Sequence, residues 1–279
     1  MTRLDGKIAL ITGSTDGVGR VVATRLGAAG AHVLAHGRDR ARGERVVADI
    51  LATGGRVDCL IADLASLAEV RRLAEIIRQG NDRLDILVNN AGIGTAGAAR
   101  QTSADGHELR FAVNYLAGFL LTYLLLPLLR AGAPSRIVNV SSAGQQAIDF
   151  DDVMLTHGYS GTRADCQSKL AQIMFTVDLA RELADSSITV NALHPATYMN
   201  TAMVRRAGVT PISTVEQGAE AILNLATGSD GARHSGCYFD GLREARAAPQ
   251  AYDTEARRRL RAVSLSLTGL ESHEARAIE

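Results

Sequence analysis

The chain has 279 residues, 46% of them hydrophobic and 22% charged, with 30 basic and 30 acidic side chains and no net charge. That is the composition of a globular chain with a substantial core, and it lacks the basic surplus that binds nucleic acid or an anionic membrane. Cys59, Cys166 and Cys237 lie far apart without metal-ligand spacing, so neither a metal centre nor a disulfide framework is expected.

The start of the chain, Met1 to Lys7, does not read as a secretory leader, and a cytoplasmic location is the expectation. Lys7–Thr12 (KIALIT) is a continuous apolar strand, and helical spacing follows over Gly19–Ala29. His32–His36 reads as a second strand, about Arg40–Thr53 as a charged helix and Val57–Ile61 as a third strand. Ala68–Gln79 is helical and Leu84–Asn89 is a fourth strand. A long helix is expected over about Asp105–Leu129. Its apolar part, Leu116–Leu129, is too short to span a membrane and holds Pro127, so it reads as a buried or subunit-facing helix. Arg136–Val140 is a fifth strand, about Arg163–Ala184 a helix and Thr189–Leu193 a sixth strand. Ala196–Thr214 is loop-like, Val215–Ala226 is a helix and Cys237–Phe239 a short strand. Arg257, Arg258 and Arg259 are expected on a solvated helix face.

Near-continuous apolar strands imply burial on both faces, as in a parallel sheet with helices on each side. Repeated strand–helix–strand units predict one doubly wound, mainly parallel α/β domain over 1–279. Ligands of such sheets bind beyond the carboxyl ends of the strands. That makes 196–214 a candidate substrate lid.

The first strand ends in Thr12-Gly13-Ser14-Thr15-Asp16-Gly17-Val18-Gly19, a TGxxxGxG turn leading into a helix. Glycines allow the tight turn and let the backbone approach a pyrophosphate, and the helix start offers N–H groups to that anion. The setting between strand and helix is that of a Rossmann-type dinucleotide site. At the end of the second strand, Arg38 suits a 2′-phosphate, and Asp39 follows one residue later. NADP(H) is therefore expected ahead of NAD(H).

Further motifs follow in order: Asp63-Leu64, Asn89-Asn90-Ala91-Gly92, Asn114, Ser141-Ser142, Lys169 and His194-Pro195. With VNYLAGFLLT at Val113–Thr122 and CQSKLAQ at Cys166–Gln172, the chain resembles the short-chain dehydrogenase/reductase family, in its retinol-dehydrogenase-like branch. The resemblance covers residues 1 to about 200 and continues more weakly through GCYFDG at Gly236–Gly241. It implies an oxidoreductase acting on a carbonyl or secondary alcohol. Asp63 and Leu64 would lie by the adenine, and Asn90, Ala91 and Gly92 along the cofactor. Pro195, Ala196 and Thr197 would flank the nicotinamide, with Ala196 where the family has glycine. Asn114 would hold a water and a helix backbone, Ser142 the substrate oxygen, and Lys169 the nicotinamide ribose. The resemblance also implies pairing of long helices into a homodimer or homotetramer. Core packing would explain the apolar helix equally well.

The family's catalytic pair is Tyr-x-x-x-Lys, and the tyrosine position here is Asp165. A carboxylate one turn from Lys169 is expected to be held ionised, without a proton to give. Tyr159, Tyr198 and His157 are the nearby alternative donors, and the two tyrosines are also candidates for the substrate rim. Four readings of Asp165 stay open: a reductase with a substitute acid or water, a non-redox enzyme such as a cyclase, dehydratase or isomerase, a cofactor-binding protein without turnover, and an inactivating substitution. Met199, Met203, Val204, Val209 and Ile212 in the lid suit a fairly apolar small molecule.

Overall fold

Strand β1 (Ile8–Ile11) shows how the layers form. Successive side chains point to opposite faces. Leu10 enters one hydrophobic cluster while Ala9 and Ile11 enter another, all three fully buried. Burying such a side chain is worth about 1.5–3 kcal/mol. The same alternation continues through β2 (His32–Gly37), β4 (Ile86–Asn89), β5 (Ser135–Val140) and β6 (Ile188–His194). One face is covered by α1 (Gly17–Ala28), α2 (Arg40–Ala52) and α7 (Val215–Thr227). The other is covered by α3 (Leu67–Gly80), α4 (Phe111–Ala131), α5 (Gly161–Glu182) and α9 (Thr254–Thr268). The structure, a computed structural model, describes residues 3–94 and 99–270. The ends of the expected 1–279 domain lie outside the described residues.

With β3 (Arg56–Ile61), β7 (Tyr238–Asp240) and β8 (Arg243–Ala245) the sheet has the order β3-β2-β1-β4-β5-β6-β7-β8. All pairs are parallel except β7–β8. The strand order reverses between β1 and β4, where ligands of doubly wound sheets bind. The expected fold class is the one observed. β8 was not readable from the sequence because Arg-Glu-Ala carries no apolar pattern. Charge on an edge strand guards it against further pairing.

Several expected elements change. The long helix starts at about 111 rather than 105, because Asp105-Gly106 makes a turn with Gly106 at φ +82°. Asp105 instead caps α3 by accepting from Leu67 N at 2.9 Å. Helix α4 has 21 residues, long and apolar enough to cross a membrane by length and composition, so the expectation of a stretch too short to span does not hold. Most of its apolar window is nevertheless buried inside this fold, as a core helix would be. The lid is not all loop. Thr201 caps a short helix, α6 (Ala202–Arg206). Helix α8 (Ser229–Arg233) follows α7. Arg257 is not solvated: it is 1% exposed, 2.6 Å from Asp178, and donates to Ala251 O at 3.0 Å. It fastens α9 to α5.

Candidate active site

The glycine turn leaves β1 at the point of strand reversal. Gly13 has φ +64°, and a Cβ there would lie 2.8 Å from Ala91 Cα. A Cβ at Gly19 would overlap Asn90 Nδ2 and Gly13 O. Asn90 Nδ2 donates to Thr12 O (2.9 Å) and Gly13 O (3.1 Å), and Asn90 N and Ala91 N both donate to Thr12 Oγ1 at 3.0 Å. Asn90 and Ala91 thus hold the turn in shape. Gly17 (φ +53°) opens α1, with Asp16 accepting from Gly17 N at 2.8 Å. Thr15 packs against Gly37, Ser14 is fully buried with its N bonded to His36 O, and Val18 is 8% exposed. Gly13 and Gly19 let the turn close tightly against Ala91 and Asn90, and the first turn of α1 carries N–H groups without helical acceptors. The residues present fit a dinucleotide.

Arg38 is exposed just past β2. Asp39 is committed as the cap of α2, accepting from Arg42 N at 3.0 Å. Arg42 also reaches Asp16 (3.2 Å), which sequence reasoning missed. Asp63 accepts from Ala65 N at 3.0 Å at an exposed turn, whereas the Leu64 side chain is core, 6% exposed. Only Asp63 therefore presents a side chain near the expected adenine region. His36 was also missed. It is 3% exposed, with Nδ1 accepting from Gly13 N (3.3 Å) and Nε2 donating to Ala62 O (3.2 Å). Burial pushes its pKa down to about 4, against the bond to Ala62 and the charge of Asp63. The neutral ring joins the ends of β1, β2 and β3.

The other half of the site is built on α4 and α5. The first turns of α4, Phe111–Leu116, are π-helical, a feature often found at functional sites. They carry Asn114, 2% exposed. Its carboxamide exchanges two hydrogen bonds with the Ile93 backbone (2.8 and 3.0 Å) and donates to Asp165 Oδ1 (3.2 Å) and Ser168 Oγ (3.0 Å). Lys169 lies one turn after Asp165 on α5 and donates from Nζ to Val140 O at 3.1 Å. A Cβ at Gly92 would meet Lys169 Nζ and Asn114 Oδ1, each at 3.5 Å. Ser141 turns away, donating to Lys169 O at 2.7 Å. Ser142 Oγ accepts from Gly144 N at 3.0 Å, which leaves its hydroxyl proton for another acceptor. Its carbonyl is fixed by Tyr238 Oη (3.1 Å) and Gln145 (3.0 Å). A Cβ at Gly94 would lie 3.5 Å from both Asp165 Oδ1 and Met203 Sδ. The lid therefore reaches the mouth of the site through an apolar side chain.

The direction of the Asp165 pKa shift differs from expectation. Burial pushes its carboxyl above the usual carboxylate value, against the nearby charges of Lys169 and Arg110, with Glu108 adding to the rise and the Asn114 hydrogen bond opposing it. Burial likewise lowers the Lys169 amine, opposed by Asp165. The charge of Lys169 opposes the rise at Asp165 but is outweighed by burial, and the amine itself donates to Val140 O.

Tyr159 does not point its hydroxyl at a substrate. It donates to Glu108 Oε1 at 3.0 Å and accepts from Arg110. Tyr198 is 53% exposed on the lid at φ +44°, and the exposed His157 faces Asp152 at 3.5 Å. Pro195 is buried, Ala196 half-buried and Thr197 exposed, with Thr197 Oγ1 3.0 Å from His194 Nε2.

The family model described as short chain dehydrogenase matches residues 7–210. Retinol dehydrogenase 13 of Homo sapiens is 39% identical over 293 residues, covering 98% of this chain and 88% of the relative. Retinol dehydrogenase 14 of Mus musculus is 36% identical, with 96% and 87% covered. Among solved structures, an uncharacterized protein from Mycobacterium paratuberculosis aligns with a TM-score of 0.81 and 30% identity, over 97% of this chain and 96% of the other. A Pseudomonas aeruginosa RhlG/NADP active-site complex aligns with a TM-score of 0.70 and 32% identity, over 85% and 95%.

Proposed function

From the premise that this chain belongs to the short-chain dehydrogenase family, in its retinol-dehydrogenase-like branch, we propose that it is an NADP(H)-dependent oxidoreductase that interconverts a carbonyl and an alcohol, with Asp165 in place of the family's tyrosine as proton donor. The observation that carries the reading is the set Asn114–Asp165–Lys169. Asn114 takes Oδ1 of Asp165, which leaves Oδ2 as the oxygen that carries a proton. Burial favours that proton staying on, so the carboxyl can act as an acid at higher pH than a solvated aspartate.

When bound, a nicotinamide cofactor supplies or accepts the hydride. The glycine turn would hold its pyrophosphate, Arg38 the 2′-phosphate, Lys169 and Asn90–Gly92 its nicotinamide half, with Pro195–Thr197 alongside. In the reducing direction Ser142 Oγ donates a hydrogen bond to the substrate oxygen, and Asp165 Oδ2 transfers its proton to that oxygen. Alcohol oxidation runs the same proton back to Asp165. Asn114 keeps the carboxyl oriented. Met203 and its neighbours in the lid favour an apolar substrate, in keeping with relatives named retinol dehydrogenases.

The test is NADPH consumption with a panel of apolar aldehydes and ketones. Loss of absorbance at the reduced-nicotinamide band, abolished in Asp165→Asn, is the expected result. Product formation without any change at that band would instead support a non-redox enzyme. Cofactor binding without turnover, even in Asp165→Tyr, would sink the oxidoreductase reading.

A further inference from the structure

The joint between α4 and α5 holds polar side chains that the proton transfer above does not use. Glu108 is fully buried and Arg110, the residue just before α4, is 5% exposed. Glu108 Oε2 accepts from Phe111 N at 2.7 Å and Oε1 accepts from the Tyr159 hydroxyl at 3.0 Å. Arg110 lies 3.7 Å from Glu108 Oε1 and donates to the Tyr159 hydroxyl. The phenol thus gives its single proton to Glu108 and a lone pair to Arg110, so it clamps the array rather than serving a substrate. Charges taken out of water are tolerated only where partners compensate them. Here the array holds together two chain segments, the start of α4 and the loop leading into α5.

Asp165 sits in the same joint. Arg110 stands four residues before Asn114 at the start of the same helix, and Asn114 donates to Asp165 Oδ1 at 3.2 Å. The charged groups that face Asp165 are Lys169 from α5 and Arg110 and Glu108 from the start of α4. The neighbouring Cys166 thiol is pushed up by burial and by Asp165 itself.

We propose that Arg110 is a positioning residue for proton transfer: locked by Glu108 and Tyr159, it supplies, together with Lys169, the positive field that receives the negative charge left on Asp165 when its proton departs. The proposal rests on the reading in which Asp165 is the proton donor. Before transfer Glu108 offsets the charge of Arg110, so the neutral carboxyl faces the one remaining positive charge, that of Lys169. After transfer the new carboxylate meets two cations and one anion.

The test is a direct titration of the Asp165 carboxyl in the cofactor-free protein, by carbon-13 NMR or difference infrared spectroscopy, in wild type, Arg110→Gln, Arg110→Lys and Glu108→Gln. Arg110→Gln should raise the Asp165 midpoint by about one pH unit, and Arg110→Lys should restore most of the shift. Glu108→Gln should lower the midpoint. In NADPH-driven reduction, Arg110→Gln should move the alkaline limb of the kcat–pH profile upward by about one pH unit, in step with the Asp165 midpoint, with KM unchanged. A merely structural array would weaken folding in each variant and leave the midpoint of the folded fraction in place. Midpoints that stay put, or that move in the same direction in Arg110→Gln and Glu108→Gln, overturn the proposal. If Arg110→Gln does not fold, the downward shift in Glu108→Gln and a smaller upward shift in Tyr159→Phe, which unclamps Arg110, decide it. The titration needs no turnover. Midpoints that respond as stated in a protein that reduces no carbonyl would count against the oxidoreductase reading, not against the field of Arg110 on Asp165.

Discussion

The two halves of the site are held together by different forces. Where β1, β2 and β3 end, the contacts are backbone amides, carboxamides and a neutral imidazole: Asn90 on Thr12 and Gly13, His36 on Gly13 and Ala62. Between α4 and α5 the contacts run through Glu108, Arg110, Asp165 and Lys169. The first half is set by space, since its glycines leave no room for a methyl group. The second is set by the balance of burial and charge. One should therefore fail on a change of volume and the other on a change of charge.

The largest expected effect separates the halves outright. Asp165→Asn removes the proton and keeps the shape, so carbonyl reduction should fall about 100- to 10,000-fold while NADPH binding, followed by fluorescence, is retained. A parallel loss of binding would show that the halves are not separable.

Next is acid, which charges the neutral half. The folded pKa of His36, about 4, lies below its unfolded value of 6.5. The folded state therefore prefers the neutral ring. Its contribution is fully present above about pH 6.5 and is lost as pH falls from there through 4, reaching about 3 kcal/mol. Chemical denaturation of the wild type and His36→Asn across that window should give a steeper loss for the wild type. Parallel curves would refute the assignment of a neutral, doubly bonded ring.

Gly19→Ala probes volume directly. A Cβ there overlaps Asn90 Nδ2 and Gly13 O, and over-packing of about 1–3 kcal/mol should weaken NADPH binding about 10- to 100-fold by calorimetry. An unchanged affinity would mean that the turn relaxes cheaply, against the comparison drawn above. The smallest effect is expected at Arg38, which is exposed. Arg38→Ala should weaken NADP(H) about tenfold and leave NAD(H) unchanged, the low end for a charge-assisted contact in water. Equal losses for both cofactors would remove Arg38 as the 2′-phosphate ligand.

The glycine turn and the alternation of strands and helices were legible in the chain because each depends on local pattern, and the resemblance to the family supplied Asn90, Asn114, Ser142 and Lys169; the strand order came only from the fold. Arg110 and Glu108 were not legible. They stand close to Asn114 in sequence, but what makes them part of the site is Tyr159, brought in from the loop before α5. Nor was Arg257, whose charge cluster reads as solvated until Asp178 is placed beneath it.

The sequence by itself determined the doubly wound fold and the dinucleotide turn, because these depend on local pattern, and the resemblance to the family placed a carboxyl at its tyrosine position. Only the tertiary structure decided in which direction its pKa moves. Beside Lys169 alone it reads as a carboxylate. In the joint between α4 and α5 burial outweighs the neighbouring cations and raises its pKa, because the loss of water and the field of distant charges depend on which residues the fold brings together.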